Sequence, residues 1–206
     1  MAVTSAPYGL NPINLLGGQG FVGSTRFYAI PSGYAVSIQN GDPVIITNTG
    51  GTRGTIARMN ATTAATTVTS TGGGFGFVGV FVGCTYTDPV FGKIFRQTYP
   101  ANTVAPDIQA YVVDDPDALF QVQANGSLTQ TVLGCNAALI QTVAGSSGYQ
   151  ASGLSLQASS VATTNTLPLR IVDFVTNGDA FTDVVVRINT HFHRSGNTGA
   201  AGTAAT

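Results

Sequence analysis

The sequence predicts an all-β protein, a sandwich or barrel of many short strands with an extended N-terminal arm. Three observations carry this expectation. No window shows sustained apolar positions at helical spacing. The helix formers Glu and Lys are absent or nearly so, with no Glu and one Lys (Lys93), whereas Thr, Val and Gly are abundant. Short apolar or alternating runs recur at roughly ten-residue spacing between turn signals, as in sandwiches and barrels.

Residues 1–25 read as the arm. Pro7, Pro12, Gly9, Gly17, Gly18 and Gly20 rule out a long helix and weaken any strand. Between them Tyr8, Leu10, Ile13, Leu15 and Leu16 stand as apolar anchors, unlike the polar residues of a disordered tail. The anchors either fold back onto the chain's own core or lie in grooves of a neighbouring subunit. The second alternative makes them a clamp, and removal of residues 1–16 then leaves a folded body.

Residues 26–193 form the β-rich body. Arg26–Ile30 reads as a strand ended by Pro31-Ser-Gly33, and Tyr34–Ile38 as the next. Asn40-Gly-Asp-Pro43 is dense turn chemistry before Val44–Thr47. The charge-free stretch 60–74 suits a flexible excursion or an edge hairpin. Phe75–Cys84 intersperses Gly among Phe and Val, as in a strand that bends or is closely approached by backbone. Further strands are expected at Ile108–Val113, Leu119–Gln123, Leu128–Leu133, Ala137–Val143, Leu154–Gln157, Leu167–Val175 and Val184–Phe192. Asn125-Gly126 signals a hairpin. Thr182–His193 alternates, with Arg187, Asn189 and His191 on one side and Val184, Val186, Ile188 and Phe192 on the other. Residues 194–206 are Arg194 and then small or polar residues, a flexible tail.

Charge narrows the function. The chain of 206 residues has eight Lys and Arg and nine acids, all Asp, for a net charge of −1. Ordinary domains are about a quarter charged, so much of this surface is expected to lie against other subunits. The charges are uneven: the first 25 residues and 118–169 have none. Contacts are expected on those stretches and water at the charged turns. No basic stripe exists to neutralise phosphates, so nucleic acid is not an expected partner. The longest apolar run, Phe75–Cys84, is too short to span a bilayer as a helix, and no membrane partner or secretion signal is expected. Cys84 and Cys135 sit in apolar surroundings and read as two buried thiols, with a single bridge the minority alternative.

Motifs for chemistry do not hold up. Gly18-Gln-Gly20-Phe-Val-Gly23 has dinucleotide-loop spacing but lacks the strand before and helix after it. The acidic cluster Asp114, Asp115 and Asp117 reads as a turn with Pro116 pre-set in φ. A calcium site would need about six oxygen ligands. The same turn offers its carboxylates to arginines of a partner. His191 and His193 on one strand face lack further zinc ligands nearby in sequence. No enzyme, metal or cofactor is expected.

Several segments resemble small structural proteins of short-tailed bacteriophages, cyanophages among them. These are Ser5-Ala-Pro-Tyr-Gly-Leu-Asn-Pro12, Leu15-Leu-Gly-Gly18, Asn40-Gly-Asp-Pro-Val44, Tyr111-Val-Val-Asp-Asp-Pro-Asp117, Phe120-Gln-Val-Gln-Ala-Asn-Gly126 and Val186-Arg-Ile-Asn-Thr-His191. The chain is similar to capsid cement (decoration) proteins, which bind the outside of the major-capsid shell. The resemblance implies a β-rich oligomer seated where major capsid protein subunits meet, with arms clamping neighbours. A trimer is favoured and a dimer is the alternative. Two other readings stay open: a carbohydrate-binding head spike or tail fibre module, and an internal capsid or tail-tube component.

Overall fold

Strands dominate because β-branched and aromatic residues fill the runs between Gly, Pro and Asn turns. The structure, a computed structural model, describes residues 4–47, 54–59, 75–141, 151–165, 167–189 and 191–194. These residues form thirteen strands and two short 3-10 turns, with no α-helix among them. The strands are numbered here along the chain. One sheet has five strands in the order β1 (Asn11–Leu15), β8 (Ala118–Gln123), β13 (Asp183–Ile188), β12 (Leu169–Phe174) and β9 (Asn136–Ala137). A second has six: β2 (Arg26–Ala29), β7 (Gln109–Val113), β5 (Phe75–Asp88), β3 (Pro43–Ile46) and β4 (Ile56–Arg58), with β6 (Gly92–Arg96) added on β5. β10 (Leu139–Gln141) and β11 (Leu154–Leu156) pair separately. All these pairings are antiparallel.

The two larger sheets pack face to face as a sandwich. Phe120, Val122, Val184, Val186, Leu169 and Ile171 of the first meet Ile45, Phe77, Val80 and Val113 of the second in one core. The six-stranded sheet has a second core on its other side. There Val44, Val78, Phe81, Cys84, Ala110 and Val112 lie under Ile30, Ile38, Tyr99 and Ile108 from the flanking loops. Strand β5 serves both cores through three register shifts. It slips against β3 between Gly79 and Phe77 and again between Phe77 and Phe75, and against β7 between Phe81 and Gly83. Each slip adds one residue and resets which side chains face which core. The glycine at 79 is required by close approach: a Cβ there would lie 2.0 Å from the Val113 carbonyl oxygen.

The N-terminal segment takes the first of its two expected courses, folding back onto the chain's own core rather than standing free as a clamp. Leu10 is fully buried in the sandwich core, and Leu15 packs against that core. Strand β1, which includes Ile13, is the edge of the five-stranded sheet, paired with β8 from Asn11↔Gln121 to Leu15↔Ala118. Ala6 N–H donates to Gln123 Oε1, Gly9 N–H to the Leu154 carbonyl, Leu10 N–H to the Gly41 carbonyl and Leu16 N–H to the Asp117 carbonyl. The physical reason is plain: β8 otherwise presents an unpaired edge, and Leu10 otherwise leaves the core underfilled. Leu16 alone of the five anchors is an exposed large apolar residue.

Other expectations change too. Tyr34–Ile38 makes no strand; only Ile38 bridges to Tyr99. Asn125-Gly126 does not close a hairpin, because β8 pairs with β1 and β13, and Leu128–Leu133 becomes a 3-10 turn with Leu128 in the core. β4 and β6 were not foreseen. The stretch 60–74, Val143, Thr190 and the tail after Arg194 lie outside the described residues.

Candidate partner-binding face

Adjacent apolar residues in a regular strand cannot both point inward. In β2, Tyr28 packs against the second core and Phe27 points away from it; in β6, Ile94 packs in and Phe95 does not. Phe27 stands directly opposite Tyr111 of β7. The rings meet edge to face, centroids 4.8 Å apart with planes at 69°. Phe95 approaches Tyr111 at 5.5 Å and 77°. Gly83 of β5 makes room for Phe95: a Cβ at 83 would lie 2.6 Å from its Cζ. Aromatic residues from β2, β7 and β6 thus cross one side of a four-stranded region. Phe27 and Phe95 remain 56% and 57% exposed. Val90 and Phe91, at the tip of the β5–β6 hairpin, are more exposed still. Asp88 holds that tip by accepting the Val90 and Phe91 N–H groups. Lys93 alternates with Ile94 and so shares the side of Phe95. An exposed cluster of large apolar side chains is what a partner-binding surface looks like before it is covered.

The acidic cluster is the turn expected after Val113. It is the crossing from β7 to β8, from one sheet to the other. The Asp115 carbonyl accepts the Ala118 N–H and its Oδ1 accepts the Asp117 N–H, closing the turn. Asp114 and Asp117 are engaged within the chain. Asp114 Oδ2 lies 3.0 Å from Arg26 Nε and 3.4 Å from His193 Nε2, and accepts the Tyr28 hydroxyl at 2.9 Å. Asp117 Oδ1 lies 2.8 Å from Arg194 Nη2. With its side chain only 12% exposed, Asp114 has little surface to offer a partner's arginine. Burial, then Asp114, pushes the Tyr28 hydroxyl up to about 12.

His191–Arg194 therefore dock on the turn rather than continue a strand. His191 bridges to Phe77 in parallel, and Phe192 N–H donates to the Phe77 carbonyl. His191 is fully buried, a correction to its expected place on the polar side of an alternating strand. Desolvation first, then His193, lowers it to about 4.

The remaining expected positions are resolved as follows. Tyr8 donates to Asp183 Oδ1, and burial followed by that carboxylate pushes its hydroxyl well up. Cys84 is buried, Cys135 half-buried, and both thiols are free. Burial holds Cys84 up at about 12, which makes it a packing residue rather than a nucleophile. Among the described residues no three His, Cys or Asp side chains converge as metal ligands do. An open depression is lined by Tyr86, Thr87, Asp88, Arg96, Thr103 and Val104, with the Thr87 hydroxyl donating to Asp107 Oδ2.

Fold and face together define an all-β protein with an uncovered aromatic sheet surface. Comparison with protein families, curated proteins and solved structures gave no match. Of the other large aromatics, Tyr86 and Tyr99 are buried. Sequence reasoning passed over Phe27 and Phe95. Phe27-Tyr28 and Ile94-Phe95 put large apolar neighbours on opposite sides of the sheet, but Val112-Val113 has the same pattern and is buried in both cores, so the pattern alone did not single them out.

Proposed function

We propose that this chain is a virion structural protein, a decoration protein seated on the outer surface of a phage head's major-capsid shell. The aromatic face is its seat. The observation that carries the reading is the uncovered Phe27–Tyr111–Phe95 cluster on a chain with so few charges. Such a seat works by contact area and water exclusion rather than chemistry. Aromatic anchors dominate the energetics of many interfaces. Multivalent attachment of a closed oligomer, a trimer by preference, adds avidity to modest single contacts.

The test is co-sedimentation of purified protein with expanded heads. Double substitution Phe27→Ser/Phe95→Ser is expected to abolish binding while leaving the unfolding midpoint nearly unchanged. Full binding by that variant overturns the assignment of the seat. Labelling of intact particles separates an outer position from an internal one.

A carbohydrate-binding spike or fibre module is the second reading, favoured by the exposure of the Phe95 ring beside Lys93. The edge-to-face tilts of 69° and 77° break up the flat platform that a sugar ring would stack on. Glycan-array binding by the isolated protein, lost in Phe95→Ser, would favour this reading over the first.

A further inference from the structure

The outer side of the five-stranded sheet gathers three of the chain's arginines. Arg187 of β13 stands directly opposite Arg170 of β12, so both side chains leave the same side of the sheet. Like charges directly opposite across a strand pair are destabilising. Arg194 joins them through Asp117, which it meets at 2.8 Å while Arg187 Nη2 stands 4.0 Å from the same oxygen. Two guanidinium groups thus face one carboxylate, and Arg170 makes no ion pair among the described residues, so the three carry more positive charge than Asp117 balances.

Among the described residues no other carboxylate of this sheet makes an ion pair with them. Asp183 accepts the Tyr8 hydroxyl, and Asp173 accepts the Phe174 N–H. Every Asp of the sequence lies within the described residues. The Arg187 side chain is only 18% exposed, and its buried Nε has no hydrogen-bond partner. A guanidinium does not discharge at any ordinary pH. A mostly buried one needs a close anion and filled donors.

Arg170 is tied and aimed differently. Its Nε donates to Asn136 Oδ1, which also accepts from Asn189 Nδ2. Asn136 in turn donates to the Thr164 carbonyl. This buried amide relay fixes Arg170 at its Nε and leaves the rest of an exposed guanidinium toward solvent.

We infer that Arg187, Arg170 and Arg194 form a binding site for an oxyanion of the carboxylate or phosphate class. A small turn of the Arg187 guanidinium would present its Nε–H and an Nη–H as parallel donors to two oxygens, the geometry at which arginine binds such groups best. Arg170 and Arg194 close the site from either side. The oxyanion comes from outside the chain, as free phosphate or as an acidic side chain of a partner.

The experiment is a titration of the full chain with inorganic phosphate, and separately with a short Asp-rich peptide, each against chloride at matched ionic strength. The Arg187 Nε–H resonance is followed by NMR and the unfolding temperature by calorimetry. A saturable shift of that resonance, with a raised unfolding temperature, is expected for at least one probe; the tighter probe identifies the source. Arg170→Gln changes an exposed side chain and tests the site without threatening the fold. It is expected to weaken binding about tenfold, the loss of one charge-assisted hydrogen-bonded contact. No resonance shift with either probe, or unchanged affinity in Arg170→Gln, overturns the site.

Discussion

The N-terminal segment and the aromatic face are both apolar, and only one of them is covered. Leu10 and Leu15 stand among glycines and prolines, where backbone freedom let the chain turn them into its own core. Phe27 and Phe95 stand in regular strands, where a period of two fixed Tyr28 and Ile94 inward and left the phenylalanines outside. Apolarity along a sequence therefore does not say which surface waits for a partner. The constraint on the backbone does.

This contrast can be broken most severely at the N-terminus. Removal of residues 1–16 takes away Leu10 and uncovers the edge of β8, so denaturant unfolding should show a destabilised or unfolded body rather than a folded one lacking a clamp. Leu10→Ala alone should cost about 2–5 kcal/mol, as expected for a buried leucine, and equilibrium urea curves measure it. If Leu10→Ala matches wild type, the segment is an arm after all. Gly79→Ala should be similarly damaging, since its Cβ would overlap the Val113 carbonyl.

Next in size is the charged crossing. Asp114→Asn should cost about 1–3 kcal/mol, the range for losing hydrogen bonds to a charged group, and should loosen His191–Arg194, seen as faster amide exchange there. His191 adds a pH dependence whose sign is set by its lowered pKa of about 4. The folded state prefers neutral imidazole, so this contribution is complete above the ordinary histidine value near 6.5. It is lost as pH falls through about 4. His191→Gln should flatten that limb of a stability–pH curve. Asp42 acts with the opposite sign: burial raises its pKa, so its contribution declines as pH rises above the usual carboxylate range. Asp42→Asn removes that drift and leaves the histidine limb in place.

The smallest expected effect is on the face itself. Phe95→Ser should shift stability by no more than about 1 kcal/mol, the scale of an aromatic pair and a half-exposed ring. A larger loss would mean that the face is structural rather than open.

Much of the fold was legible because strands leave a short-range trace. Arg26–Ile30, Ile108–Val113 and Leu119–Gln123 match β2, β7 and β8 closely, while the expected strand Val184–Phe192 overran β13, which ends at Ile188. What was not legible was long-range. Nothing local reveals that Asn11 pairs with Gln121, so an edge strand read as an arm. Nothing local reveals that Asp114 meets Arg26 and His193, so an intramolecular crossing read as a partner's target. Asn125-Gly126 has hairpin chemistry, but β8 already had both neighbours.

The order of the five-stranded sheet has a consequence for how the protein is made. β1 emerges from the ribosome more than a hundred residues ahead of β8, the strand it pairs with. At roughly 5–20 residues per second, its apolar side chains wait on the order of ten seconds for a partner. β8 must in turn wait for β13. The five-stranded sheet can therefore be completed only once β13 has left the ribosome, and the apolar side chains of β1 stay uncovered by it until then.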